Sequence, residues 1–169
     1  MIIVSIIKYC MLFILFLLMS CTPKSNQKTM LQVTFHDAPF KSQGKTVEAL
    51  NITVKRMDII RSSDKELITL LDEERKMDIL KIDENNPVVL SNVSVQPGNY
   101  EQLRLVLSND STIVVDGDTF PITIPSGEQT GIKLDGTFTI PPNKLFQIDL
   151  DFNPNKSVIF TKGNGYKLK

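Results

Sequence analysis

The feature that most constrains the fold is a recurrence of short apolar runs separated by turn-forming residues. From Met30 onward, stretches of about five to eight residues rich in Val, Ile, Leu, Phe and Thr alternate with intervals of Gly, Pro, Asn and Asp. The chain has nine prolines and eight glycines, and because most lie in those intervals, long helices are disfavoured. About ten runs qualify as strands, which predicts an all-β domain built as an antiparallel two-layer β-sandwich.

Two signals predict local strand geometry. Leu50 to Val54 and Met57 to Ile59 alternate with opposite parity, so a β-bulge near Lys55 and Arg56 is expected to return both sets to one face. Further along, Asp116-Gly117-Asp118 stands between two alternating runs. An Asp-Gly pair in that setting predicts a tight hairpin, because glycine accepts positive φ at no steric cost.

The segment from Asp64 to Asp83 is ambiguous. It is rich in good helix formers, and its apolar spacing fits a helix about as well as two strands. We expect a hairpin of Leu67 to Leu71 and Asp78 to Ile82, turning over the charged Asp72 to Lys76. A short helix within residues 64–83 is the alternative.

The N-terminus has the pattern of a bacterial lipoprotein signal peptide. Lys8 is the only charge in the first 20 residues, and Cys10 to Met19 are uncharged. This length is typical of a signal-peptide core rather than a membrane span. Leu18-Met19-Ser20-Cys21 matches the site that lipoprotein signal peptidase recognises. Cleavage before Cys21 and lipidation of Cys21 are therefore predicted, with an uncleaved anchor helix as the alternative.

The predicted organisation has three parts: a signal peptide at residues 1–20, a lipidated cysteine with a polar tether at 21–29, and one domain at 30–169. Two or three acyl chains hold a protein at a bilayer durably, whereas one chain does so only marginally. The expected partner is thus the membrane, reached through the acyl chains on Cys21, and the location is the bacterial cell envelope. Thr22 stands where an aspartate retains lipoproteins at the inner membrane. The outer membrane is therefore expected in a cell with two membranes.

Charge and cysteine content exclude several classes of function. Removing residues 1–20 takes one base, Lys8, from the 19 basic residues and leaves 18 against 19 acidic ones. A near-neutral domain has no electrostatic basis for binding nucleic acid. Cys10 leaves with the signal peptide and Cys21 carries lipid, so the predicted domain has neither a disulfide nor a cysteine-held metal. No cofactor is expected.

Short motifs follow one another in a characteristic order along the predicted domain. They are His36-Asp37-Ala38-Pro39, Pro97-Gly98-Asn99-Tyr100, Leu103-Arg104-Leu105, Val115-Asp116-Gly117, Ile124-Pro125-Ser126-Gly127, Thr130-Gly131-Ile132-Lys133-Leu134, Leu150-Asp151-Phe152 and Lys156-Ser157-Val158. This ordered series resembles the bacterial and archaeal lipoproteins of domain of unknown function 4382. The resemblance implies an exported, usually lipid-anchored β-sandwich without known activity. Members commonly have threonine at the position of His36, and they continue beyond Lys169, so a short last strand or an open sheet edge is expected here.

We expect the family-motif residues to be structural. They are Asp37, Pro39, Gly98, Tyr100, Arg104, Asp116, Gly117, Gly131 and Asp151. Arg104 is expected to face outward or to pair with an acid such as Asp149 or Asp151.

Candidate chemical groups are few. His36 is the only histidine, and its neighbour Asp37 should point to the opposite face of the strand, so no catalytic residue is assigned. Oxygen-rich positions that fit calcium weakly are Asp110, Asp116, Asp118 and Asp151. The loop that begins at Asp151 lacks the glycine and glutamate of a calcium-binding loop. Ordinary turn chemistry is therefore the favoured interpretation.

The sequence thus predicts a noncatalytic envelope lipoprotein that binds an envelope protein, a peptide or a glycan. A hydrolase that uses Asp and Glu residues, such as Asp116, Asp118, Asp149 and Asp151, or a bound metal is one alternative. A purely architectural envelope component is the other.

Overall fold

The computed structural model describes residues 28–37, 44–83, 85–124, 130–161 and 165–168. Within these ranges the chain forms twelve strands, one turn of 3₁₀-helix at Ile79–Lys81 and one turn of α-helix, α1, at Pro154–Ser157. The strands are β1 Thr29–Asp37, β2 Val47–Arg61, β3 Leu67–Leu71, β4 Arg75–Asp78, β5 Val88–Val95, β6 Gly98–Leu107, β7 Thr112–Val115, β8 Asp118–Thr123, β9 Ile132–Ile140, β10 Phe146–Phe152, β11 Val158–Thr161 and β12 Gly165–Leu168. The predicted signal peptide, Cys21, most of the tether and Pro39 lie outside the described residues.

The strands form two sheets that share one apolar core. The small sheet has the order β10-β1-β5, and the large sheet has the order β11-β12-β8-β7-β2-β6-β9. Strands β7 and β6 pair with successive parts of one edge of the long β2, and β4 and β3 pair with successive parts of its other edge. Alternating apolar residues of β1, among them Leu31, Val33 and Phe35, face the large sheet and are buried with Leu50, Ile59 and their neighbours. The all-β class and the two-layer arrangement are confirmed.

Strand direction needs a correction. Most pairs are antiparallel, but β1 pairs with β10 in parallel and β12 pairs with β8 in parallel. Parallel neighbours cannot be joined by a tight hairpin, because the chain must cross over to begin the second strand at the same end. The intervening strands make that crossover between β1 and β10, so the pairing is set by long-range topology.

The predicted β-bulge in β2 is confirmed. Val54 pairs with Leu107 and Arg56 pairs with Val106, so one residue of β2 is inserted between them. The insertion restores the parity of the apolar residues on both sides of it. As a result, Ile52, Val54 and Met57 all lie buried in the core.

The predicted hairpin within residues 64–83 is wrong, although its first strand is β3. The second strand is Arg75–Asp78, and β3 and β4 do not pair with each other. Both run antiparallel to β2, β3 along Met57 to Ile60 and β4 along Asn51 to Val54. They are two successive pieces of one edge strand, interrupted at residues 72–74. Both segments find their hydrogen-bond partners on the long β2, so they do not need to pair with each other.

Of the two outcomes expected for the last strand, the structure shows the short strand and not an open edge at that strand. β12 is only four residues long, but it lies between β11 and β8. The edge of the described sheet is β11, where Ile159 and Phe160 remain 40% and 38% exposed. No helix among the described residues is long and apolar enough to cross a membrane.

Candidate functional site

Tyr100 has a structural role at the turn between β5 and β6. The Tyr100 side chain is fully buried, and its hydroxyl donates a hydrogen bond to the Gln96 carbonyl at 2.7 Å. A buried tyrosine that bonds to the backbone a few residues upstream is a tyrosine corner. Gly98, with φ of +150°, completes the same turn. The Pro97-Gly98-Asn99-Tyr100 motif therefore fixes the entry into β6.

The predicted Asp-Gly hairpin is confirmed. Asp116 and Gly117 have φ values of +51° and +85°, and the flanking Val115 and Asp118 pair with each other. Two positive φ values in a two-residue turn are the signature of a type I′ hairpin. Asp116 Oδ1 also accepts a hydrogen bond from the Thr46 amide at 2.9 Å. Asp116 therefore ties the hairpin to the start of β2.

Gly131 is required by both conformation and space. Its φ is +70°, and a Cβ built on it would lie 3.0 Å from the Leu105 carbonyl oxygen and 3.1 Å from Val106 Cγ2. Any side chain here would push β9 away from β6. The motif that contains Gly131 thus marks a close approach of two strands.

Arg104 faces outward on β6, as predicted, but its partner differs from the acids named. Its Nε donates to Gln102 Oε1 at 2.6 Å, whereas Asp149 and Asp151 belong to the other sheet. Directly across from Arg104 on β2 lies Asp58.

Asp58 is a buried carboxylate that the sequence did not reveal. Its side chain is fully buried and accepts hydrogen bonds from Arg56 Nε at 2.9 Å and from Thr69 Oγ1 at 3.0 Å. The alternation of β2 places Asp58 on the outer face, which ordinarily means exposure. Nothing in the local pattern marks it as buried.

The calcium candidates are not brought together. Asp110 precedes β7 and Asp116 follows it, which separates them by about 13 Å along a four-residue strand. Asp118 stands at the hairpin, and Asp151 lies on β10 in the small sheet. Among the described residues, no three His, Cys, Asp or Glu side chains are grouped so as to hold a metal ion.

The structure instead assembles a cluster of polar side chains on the outer face of the small sheet. In β10, Phe146, Ile148, Leu150 and Phe152 face the core, so the alternate residues Gln147, Asp149 and Asp151 face outward. In β1 the corresponding outward residues are Gln32, Thr34 and His36. The parallel register places Thr34 opposite Asp149 and His36 opposite Asp151.

Asp149 is the centre of this cluster. Its Oδ1 accepts hydrogen bonds from Thr34 Oγ1 and from Gln147 Nε2, the latter at 2.7 Å, and it lies 3.3 Å from His36 Nε2. All of these contacts go to Oδ1. The carboxylate is thereby held in one orientation while its side chain remains 53% exposed.

These contacts favour the ionised form of Asp149. Hydrogen bonds from Gln147 and Thr34 lower the pKa of Asp149 below its ordinary value, and His36 lowers it further, while slight desolvation opposes the shift. Asp149 is therefore a permanently charged acceptor at neutral pH.

His36 is paired with Asp149, which the sequence analysis missed. The two residues are 113 positions apart, and only the parallel register of β1 and β10 joins them. The His36 ring is 25% exposed, but its Nδ1 is enclosed and makes no hydrogen bond in the described structure. Nε2 thus faces Asp149, and Nδ1 is shielded from solvent.

The remaining motif residues add little to the cluster. Asp151 is exposed and shares the outward face of β10 with Asp149. Asp37 pairs through its backbone with Phe152 at the end of β1. The family-motif residues that the structure describes are therefore dispersed over several turns and both sheets.

Comparison with known proteins identifies a family. No curated protein matches the chain significantly. The sequence model of a family described as a domain of unknown function (DUF4382) matches residues 28–169, which is the whole described domain. The sequence motifs and the two-sheet fold agree with that match, and the chain belongs to the DUF4382 family.

Proposed function

We propose that the protein is a lipid-anchored, noncatalytic recognition module of the bacterial cell envelope. The lipoprotein signal pattern that ends at Cys21 supports the anchor. The dispersal of the carboxylates supports a noncatalytic role: Asp116 and Asp118 lie on the large sheet, whereas Asp149 and Asp151 lie on the small sheet. No hydrogen bond or ion pair among the described residues joins the two pairs.

The observation that carries the proposal is the fixed, ionised and exposed carboxylate of Asp149. It lies within a surface that we call the polar face, formed by Gln32, Thr34, His36, Asn92, Gln147, Asp149 and Asp151. This surface has two carboxylates and no lysine or arginine. A preorganised acceptor loses little conformational entropy when a ligand donor reaches it.

The chemistry of the polar face favours a peptide segment that carries lysine or arginine. Asp149 Oδ2 keeps its acceptor capacity, because the contacts found among the described residues all go to Oδ1. Charge-assisted hydrogen bonds from a basic group to a carboxylate are about twice as strong as neutral ones. The ligand is accordingly proposed to be a basic segment of another envelope protein.

Site-specific photo-crosslinking in living cells tests this proposal. A photoreactive residue at Asn92, which is exposed on the polar face and leaves the contacts of Asp149 intact, should give a discrete crosslinked product, and Asp149→Asn should reduce its yield at least about fivefold. Asp72→Asn is the matched control, because Asp72 is an exposed carboxylate in the interruption between β3 and β4, away from the small sheet. An equal yield in Asp149→Asn and Asp72→Asn would contradict the proposal. A crosslinked product that glycosidases degrade would show that the ligand is a glycan and would contradict the peptide.

A further inference from the structure

One end of the sandwich is defined by the start of β1. There Thr29 pairs with Val95 of β5, and its hydroxyl donates to the Pro141 carbonyl at 2.6 Å. The turns at residues 62–66, 96–97 and 141–145 lie at this same end, since Arg61 pairs with Tyr100 and Gly98 pairs with Ile140. We call this the anchor end, because the polypeptide from Cys21 enters the domain here.

The anchor end exposes two adjacent apolar side chains. Leu145 is 61% exposed, the highest value among the large hydrophobic residues that the structure describes, and Met30 is 42% exposed. Leu31 pairs with Phe146 in the parallel register, so the residues that precede them, Met30 and Leu145, are neighbours across the strands. Such neighbours form a small apolar protrusion rather than isolated exposed residues.

Charge at the anchor end suits an anionic lipid surface. Its three acids are all paired, but with only two bases: Asp64 and Glu66 both pair with Arg61, and Glu101 pairs with Lys65. Lys28 and Lys144 bring the bases to four, which leaves this end with a net charge of +1. Lys28 and Lys144 are exposed, and no ion pair involves either of them within the described part of the chain. Basic side chains beside an apolar protrusion are the features that hold a surface against anionic headgroups.

The length of the chain before the domain limits its orientation. From Cys21 to Thr29 there are eight residue steps, which span at most about 28 Å when fully extended. The nine residues of β1 span eight steps, which rise about 26 Å from the anchor end to the far end. The far end could therefore touch the bilayer only if the chain from Cys21 were stretched almost fully, whereas a random coil of eight steps has a root-mean-square span of about 16 Å.

We propose that the anchor end docks on the membrane that holds the acyl chains of Cys21, with Leu145 and Met30 in the headgroup region and Lys144 beside anionic lipids. This inference rests on the proposed lipid anchor. Docking directs β1 and β10 away from the bilayer. It places Asp149, four residues after Leu145, about 13 Å further out.

Solvent accessibility in reconstituted vesicles tests the orientation. Lipidated protein is inserted into vesicles of phosphatidylethanolamine and phosphatidylglycerol at 3:1, and the floated vesicles are collected. Since the predicted mature chain has no cysteine besides Cys21, Leu145→Cys can carry a single fluorescent label. Val89→Cys is the matched control, because Val89 is 46% exposed in the same small sheet but lies toward the far end.

We expect a water-soluble quencher to reach the label at 145 at least threefold more slowly than the label at 89. Lys144→Glu should remove most of that difference and leave flotation unchanged. Equal quenching at the two positions in floated protein overturns the docking proposal alone. Protein that neither floats nor takes up acyl label refutes the lipid anchor, and the docking proposal falls with it.

Discussion

Gly131→Ala is expected to destabilise the domain more than an alanine at another glycine of positive φ. A left-handed backbone costs a non-glycine residue roughly 1–2 kcal/mol, of which about 0.4–1 kcal/mol is offset because alanine restricts the unfolded chain. Gly131 has a further cost, since its Cβ would lie 3.0 Å from the Leu105 carbonyl oxygen. Overpacking of this kind costs roughly 1–3 kcal/mol, so the total is about 2–4 kcal/mol.

Gly117→Ala is the control variant, because it carries the conformational cost without the steric one, and the difference between the two variants gives the steric part. Gly117 has a comparable φ of +85°, but a Cβ there would have no atom within 4 Å. Its expected cost is the conformational part alone, about 1 kcal/mol. In urea unfolding with a slope near 2 kcal/mol per M, the midpoint should fall by about 1–2 M for Gly131→Ala and about 0.5 M for Gly117→Ala. Equal shifts would refute the close approach of β9 to β6 as the reason for Gly131.

Three further predictions follow from buried or fixed polar groups. Tyr100→Phe should lower the free energy of unfolding by about 0.5–1.5 kcal/mol in urea titrations, because the hydrogen bond to the Gln96 carbonyl is lost; an unchanged midpoint would contradict the tyrosine corner. Asp58→Ala should cost about 1–3 kcal/mol in the same assay, because the donor Thr69 loses its acceptor; a neutral effect would mean that the carboxylate is solvated. The folded state lowers the pKa of Asp149 below the unfolded value of 3.8, so its contribution to stability is full above about pH 5 and is lost as the pH falls through the lower folded pKa. In Asp149→Asn, the urea midpoint should accordingly fall less steeply with decreasing pH in the acid range than in the unaltered protein. The same dependence of the midpoint on pH in both proteins would contradict the lowered pKa of Asp149.

Features that depend on a few neighbouring residues were predictable from the sequence. The bulge in β2 follows from a change of parity between Val54 and Met57, and the type I′ turn follows from Asp116 and Gly117. Both are decided by local backbone sterics and by the need to bury one face. The all-β class rests on the same local signals repeated along the chain.

Features set by distant pairing were not predictable. The parallel register of β1 and β10 creates the contacts of Asp149 with Thr34 and His36, and no local pattern encodes a register between segments more than 100 residues apart. Likewise, β4 forms at Arg75 rather than at Asp78 because the edge of β2 is free to accept it. The buried Asp58 also depends on its partners on neighbouring strands.

The lipid anchor at Cys21 is the claim on which the proposed location and orientation depend, and mass spectrometry of the mature N-terminal peptide tests it most directly. We predict a peptide that begins at Cys21 and carries the mass of a diacylglycerol and an amide-linked acyl chain, with Cys21→Ala giving an unlabelled precursor that retains residues 1–20. An unmodified Cys21, or cleavage at another position, would contradict the account.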